Sequence, residues 1–183
     1  MKRCAYCGKQ YPVGTTICPI DGQTLQDSDE ERNNLAGTWL GSYKYPQNPD
    51  LPAVPFTLKL QQGALGHFIG TVTEDRALGM PGTGTIEGDF DFPHIKFVKR
   101  MPVGYTTTEN GDRVTLRDRL SAQGLVCEGN PPHPPVIYEG RFYEIHEARG
   151  MWTIEAWEIP LTGGMSMPMG TVSGSWMIEF DAT

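Results

Sequence analysis

The sequence predicts an all-β protein: an eight-stranded antiparallel up-and-down barrel preceded by a small cysteine-bearing module. Three observations carry this expectation. An apolar–glycine–apolar triplet at alternate positions recurs five times, as Trp39-Gly41-Tyr43, Phe68-Gly70-Val72, Ile86-Gly88-Phe90, Tyr138-Gly140-Phe142 and Val172-Gly174-Trp176. Mid-strand glycine on a packed face normally weakens a strand, so its repetition implies a wall bent tightly around a narrow axis. From residue 37 onward apolar and polar residues alternate with period two, and three of the four cysteines lie within the first 18 residues.

Residues 1–26 hold few large apolar side chains and place Gly8, Gly14 and Gly22 at turn positions, so this segment cannot build a core unaided. Residues 27–36 read as a linker, because the run from Gln26 to Asn34 is almost wholly polar and has too little apolar surface to offset its ordering entropy. Alternation then places strands near 38–45, 55–61, 67–74, 84–90, 94–100, 136–145, 150–158 and 171–180, with Phe56-Leu58-Leu60 set against Thr57-Lys59-Gln61 as the plainest case. Eight strands is the count at which side chains either fill a barrel or leave room for one small ligand.

Connections alternate in length. Those at 62–66, 91–93 and 146–149 are short, whereas 46–54, 75–83, 101–135 and 159–170 are long. In an up-and-down barrel odd and even connections lie at opposite ends, which predicts one closed end and one elaborated mouth. A structureless loop as long as 101–135 is improbable in a compact domain, so it is expected to be a lid or to hold local structure of its own. The stretch Thr115 to Gly124 suits either two helical turns ending at a glycine cap or an additional strand.

The 183-residue chain is 38% hydrophobic and 20% charged, ordinary for a globular protein with a sizeable core. A net charge of −7 argues against a phosphate-binding surface, which needs clustered Lys and Arg, so no nucleic-acid partner is expected. Met1-Lys2-Arg3-Cys4 leads into no apolar signal core and no apolar run is long enough to cross a bilayer. A cytoplasmic protein without a membrane partner is the expectation, and reduced cysteines at ligand-like spacing agree with it.

Cys4-Ala-Tyr-Cys7-Gly8 and Cys18-Pro-Ile-Asp21-Gly22 have the outline of two metal knuckles, each with two ligands three residues apart and a glycine that lets backbone amides approach the sulfur. This segment resembles the short zinc-ribbon modules at the N-termini of bacterial proteins, some of which carry Cys-Pro-x-Asp-Gly in the second knuckle. The resemblance implies structural zinc held by Cys4, Cys7, Cys18 and Asp21, more weakly than by four thiolates because one soft ligand is a carboxylate. Cys127 is the other candidate fourth ligand, although a lone cysteine among apolar residues is commonly a small buried hydrophobe. Loss of the metal, leaving a turn-rich segment, is the remaining reading.

Gly37-Thr38-Trp39 opening the first strand, Trp176 on the last and eight meandering strands with long loops at one mouth are similar to the calycin group of lipocalins, fatty-acid-binding proteins and avidins. The resemblance implies that the Trp39 indole closes the narrow end. It does not extend to the polar set that holds biotin or to a lipocalin disulfide.

If the glycine-bearing face points inward, Tyr43, Tyr45, Phe56, Glu74, Lys99, Tyr138, Ala156 and Glu158 line the mouth, and aromatic walls with a few polar groups suit a small hydrophobic or amphipathic ligand. Such residues equally suit a solid core with polar tips at the rim. Three functions therefore stand at this point: a non-enzymatic binding protein with a ligand in the barrel and a zinc ribbon for docking; a protein-interaction module with a filled barrel, acting through the ribbon or the long loops; and a barrel enzyme using Glu74 and Glu158. Catalytic motifs are absent from the sequence, and Met165-Ser-Met167-Pro-Met169 reads as adaptable apolar lining rather than a copper(I) site.

Overall fold

The computed structural model describes residues 2–4, 6–7, 9–12, 14–25, 35–45, 50–64, 66–107, 113–127, 129, 131–144 and 146–181. Gly8, the linker stretch 27–34 and part of the proline-rich loop 46–54 lie outside the described residues.

The chain folds as a closed eight-stranded antiparallel barrel. Its staves are β3 (Gly37–Lys44), β4 (Val54–Gln62), β5 (His67–Glu74), β6 (Thr83–Asp91), β7 (His94–Arg100), β10 (Val136–Glu144), β11 (Glu147–Ile154) and β14 (Val172–Phe180). Each pairs with its neighbours in this order, and β14 closes on β3 with Trp176 opposite Tyr43 and Phe180 opposite Trp39. Around them lie the short pairs β1 (Lys2–Arg3) with β2 (Gln10–Tyr11), β8 (Tyr105–Thr107) with β9 (Arg113–Thr115), and β12 (Trp157–Pro160) with β13 (Ser166–Met169). No helix among the described residues is long and apolar enough to cross a membrane.

The glycine triplets do face inward, and their physical purpose is space. A Cβ on Gly174 would lie 2.6 Å from the Trp152 indole, one on Gly140 2.6 Å from that of Trp176, and one on Gly41 2.5 Å from the Phe56 ring. Each ring thus lies across the bare backbone of another stave, and the indole reaches main-chain carbonyls of the wall: Trp152 Nε1 donates to Lys44 O (3.1 Å), and Trp176 Nε1 to Glu139 O (3.2 Å) and Met151 O (3.1 Å). A buried N–H is satisfied without a polar partner in the core. Edge-to-face contacts continue the packing through Phe97–Trp176 and Tyr138–Trp176, and Phe97 stacks on Tyr138 at 4.6 Å.

At the short-turn end Trp39 donates from Nε1 to Leu35 O (3.0 Å) and meets Phe142 and Phe180 edge-on. Leu35 is itself buried, its N–H held by the Gln62 side chain at 3.0 Å. The indole does close this end, with Leu35 beneath it as a plug.

At the other end, two of the long connections fold together. Residues 101–135 contain the paired strands β8 and β9 and then helix α1 (Leu116–Ala122), so this connection holds local structure of its own and the stretch Thr115 to Gly124 takes the helical alternative. Thr115 caps the helix by accepting from Asp118 N, and Gly124, at φ +77, ends it while Leu125 N reaches back to Leu120 O at 2.9 Å. Leu116, Leu120, Cys127 and Ile159 form a second small core joined by Leu125, Leu161, Met167 and Met169. Trp157 packs against both this core and that of the barrel. Cys127 is therefore a packed hydrophobe of this layer, and Met167 and Met169 serve as lining.

The strand expected at 150–158 ends at Ile154. Its alternation breaks at Glu155-Ala156, after which Trp157 and Ile159 turn to the small core while Glu158 pairs opposite Pro168. Ala156 and Glu158 are consequently exposed outside the barrel, which corrects the expectation that they face its interior.

Gly174→Ala places a methyl against both the Trp152 ring and the Lys44 carbonyl, and is expected to cost about 1–3 kcal/mol or more in a denaturant titration. Gly170→Ala, with open space at its Cβ, is expected to stay within about 0.5 kcal/mol. Equal effects of the two would show that the ring-on-glycine packing does not constrain the barrel.

Candidate functional site

Among the described residues, two clusters hold the chemistry-bearing side chains that the sequence singled out. The first is at the N-terminus, where the β1–β2 pairing sets Lys2 opposite Tyr11 and Arg3 opposite Gln10, with Cys4 N bonded to Lys9 O at 2.9 Å. A second turn closes through Cys18 N to Gln23 O (2.7 Å), Gly22 N to Cys18 O (2.9 Å) and the bridge of Ile17 with Thr24, with Gly22 at φ +73. Two tight turns therefore present their side chains to one point. The ligand atoms of Cys4, Cys7, Cys18 and Asp21 all lie within 4.8 Å of one another.

Cys7 Sγ and Cys18 Sγ are 3.6 Å apart, and Cys4 Sγ donates to Asp21 Oδ2 at 3.0 Å. A tetrahedral ion with bonds of about 2.3 Å to sulfur separates two thiolates by roughly 3.8 Å. The spacing fits one ion, and leaves no room for a polynuclear cluster. The donor set of three sulfurs and one carboxylate fits zinc chemically. Four protein ligands leave no open position, which suits a structural site.

Cys4 and Cys18 are fully buried, Cys7 half-buried, and with Leu25 and Tyr11 they form a small core among the described residues of this segment. Burial, then the bond to the Asp21 carboxylate, pushes the Cys4 thiol up to about 12, while the same bond holds Asp21 below its ordinary value. Burial opposes ionisation of Cys18, but the Tyr11 hydroxyl and the backbone amides of Ile20 and Asp21 outweigh it and lower this thiol. A cation held by Cys4, Cys7, Cys18 and Asp21 would take the place of the Cys4–Asp21 proton and favour the anionic form of each ligand. Tyr11, which the sequence reading did not single out, places its hydroxyl 3.3 Å from Cys18 Sγ and 4.0 Å from Cys7 Sγ. It sits where a donor to metal-bound thiolates belongs. Its signal in the sequence was faint, an aromatic residue four positions after Cys7.

The second cluster is the barrel mouth. Tyr43, Phe56, Glu74, Lys99 and Tyr138 point inward as expected, but each is at most 8% exposed; Tyr43, Glu74 and Lys99 bond to one another, with the Phe56 and Tyr138 rings packed beside them. Lys99 Nζ pairs with Glu74 Oε1, while Glu74 Oε2 accepts from Tyr43 Oη at 3.1 Å and from Met80 N at 2.5 Å. The ammonium also lies over the Tyr43 and Tyr138 rings at 4.7 and 5.6 Å. Tyr45 packs edge-on against Tyr43 and Trp152 at the rim. Burial raises the phenols of Tyr43, Tyr45 and Tyr138, and lowers His133 to about 4, the nearby Lys99 charge adding to it. A buried ion pair costs heavily in desolvation and holds only when its remaining lone pairs are satisfied, as the Tyr43 hydroxyl and Met80 amide do here. The carboxylates of Glu74 and Glu158 face different surroundings, one buried in this network and the other exposed.

No protein-family model, no curated protein and no solved structure matches this chain.

Asp21→Ala is expected to weaken zinc, measured by competition with a chromogenic chelator, by more than the roughly 10–100-fold that loss of an outer partner costs. Asp21→Cys is expected to tighten it. Unchanged affinity in Asp21→Ala would move the fourth ligand elsewhere.

Proposed function

We propose that this chain is a non-enzymatic protein-interaction module: a zinc-organised N-terminal segment joined to a calycin-like barrel that is solid and presents its long loops to a protein partner. The exposed apolar residues of the mouth carry the reading. Among the described residues, each of the four long connections puts a large apolar side chain into solvent: Leu51 at 54% exposure, Leu78 at 41%, Val126 at 59% and Met165 at 62%. Val126 O accepts from Thr162 N at 2.8 Å, so the third and fourth loops are in contact. The wall also exposes Leu40, Ile69, Met151 and Met177, but the contact between the third and fourth loops sets Val126 and Met165 on joined segments, and exposed apolar groups of this kind suit a protein contact better than water.

An internal ligand, the other expectation, has less support. Lys99, Tyr43 and the Met80 amide satisfy the buried Glu74 carboxylate, and a molecule entering among them must break the Glu74–Lys99 pair and leave buried charge unpaired. The zinc reading rests on the convergence of Cys4, Cys7, Cys18 and Asp21, in a module whose core is too small to fold without a staple. The meander order and the Trp39 plug support the calycin-like reading of the barrel.

The test is cross-linking of the chain in its own cells, followed by mapping of the linked residues. Links are expected to cluster on 50–54, 75–82, 125–127 and 161–166, and Val126→Asp combined with Met165→Asp is expected to abolish them while leaving the barrel's thermal midpoint within a few degrees. Links confined to the barrel wall, or unaffected by the double change, would contradict the proposal.

A further inference from the structure

The metal site holds an asymmetry that zinc binding alone does not use. Cys7 and Cys18 sulfurs are 3.6 Å apart, whereas the Cys4 sulfur is bonded to Asp21. Cys7 is also the one half-buried thiol of the three, the other two being at most 1% exposed. Tyr11 leans on both members of the close pair and holds the Cys18 sulfur toward Cys7. A carboxylate in the fourth position weakens the grip on the ion, so withdrawing any sulfur has a larger effect than in a four-thiolate site.

We infer that Cys7 and Cys18 are a peroxide-oxidisable pair whose disulfide expels the metal, an inference that rests on the zinc reading above. The accessible Cys7 sulfur attacks the O–O bond of a hydroperoxide and becomes a sulfenic acid, while the departing alkoxide or hydroxide takes a proton from solvent. The Cys18 thiolate then attacks the Cys7 sulfur, forms the S–S bond and displaces hydroxide, which is protonated to water. Two electrons pass from the sulfur pair to the peroxide, and zinc keeps its oxidation state throughout. Two ligands are withdrawn, and Cys4 with Asp21 cannot hold the ion alone. A dithiol reductant reverses the step and restores the site. The consequence is a module whose small core, built on the same sulfurs, loosens under oxidation.

The experiment uses the full chain, reduced and loaded with zinc under argon, its metal content measured first. Hydrogen peroxide is then titrated in while a chromogenic chelator reports free zinc, and trapped samples are digested and mapped by mass spectrometry. Zinc is expected to appear in step with a Cys7–Cys18 disulfide, one ion per bridge, and to rebind after dithiothreitol. Buried Cys127, 6% exposed in the capping layer, should remain a thiol throughout. A bridge involving Cys4, sulfinic acid at Cys7 without a bridge, or zinc retained until Cys127 is itself oxidised would each overturn the inference. A reduced chain that binds no zinc before peroxide is added fails the zinc reading, and the inference with it. A chain that holds zinc and ignores peroxide overturns the inference alone.

Discussion

The fit of aromatic rings over bare backbone inside the barrel sets most of what this protein can be. Gly41, Gly140 and Gly174 each surrender a side chain so that Phe56, Trp176 and Trp152 can lie across them, and a Cβ at any of the three would come within 2.6 Å of a ring. Rings so placed reach the wall's carbonyls, which gives the indole nitrogens their acceptors. The closure of β14 on β3 and the inward packing of the rings go together with this arrangement.

Filling the interior has a consequence for the charges at the mouth. Glu74 and Lys99 cannot reach solvent once Met80, Tyr43 and Tyr138 surround them, so they must satisfy each other, and each remaining acceptor on Glu74 is taken by Tyr43 or Met80. Removing one partner alone would strand a charge, at a cost of about 3–5 kcal/mol. The pair thus acts as a latch between the barrel wall and the loop that carries Met80. Beside it, the layer built on Leu116, Leu120, Cys127 and Ile159 joins the barrel core through Trp157, while Val126 and Met165 of the same connections stand in solvent.

Much of the barrel was legible because its signal is local. Period-two alternation located all eight staves to within a few residues, and the glycine triplets marked the inner face. The helix at 116–122 could be read from Thr115 and Gly124, since a cap and a stop are chemical statements at single positions. What could not be read was phase. Ala156 and Glu158 seemed to continue β11 inward, yet the Trp157–Ile159 alternation runs out of step with Trp152–Ile154, and the small core that attracts those residues exists only after 101–135 has folded. Cavity against solid packing was equally hidden, because it depends on which ring lies on which glycine across strands far apart in sequence. In the N-terminal cluster the four candidate ligands were legible from their spacing, whereas Tyr11 became visible only when β2 brought its hydroxyl to the sulfurs.

The central claim is that the barrel is full of its own side chains and that the small molecule it carries is a metal ion at the other end of the chain. Native mass spectrometry of the full-length protein, purified gently from its own source, tests this most directly. The expected mass is that of the chain plus one zinc ion, with no organic adduct surviving from the cell. A stoichiometric organic molecule that leaves only when the barrel unfolds would contradict the account, and would require the Glu74–Lys99 network to open around it.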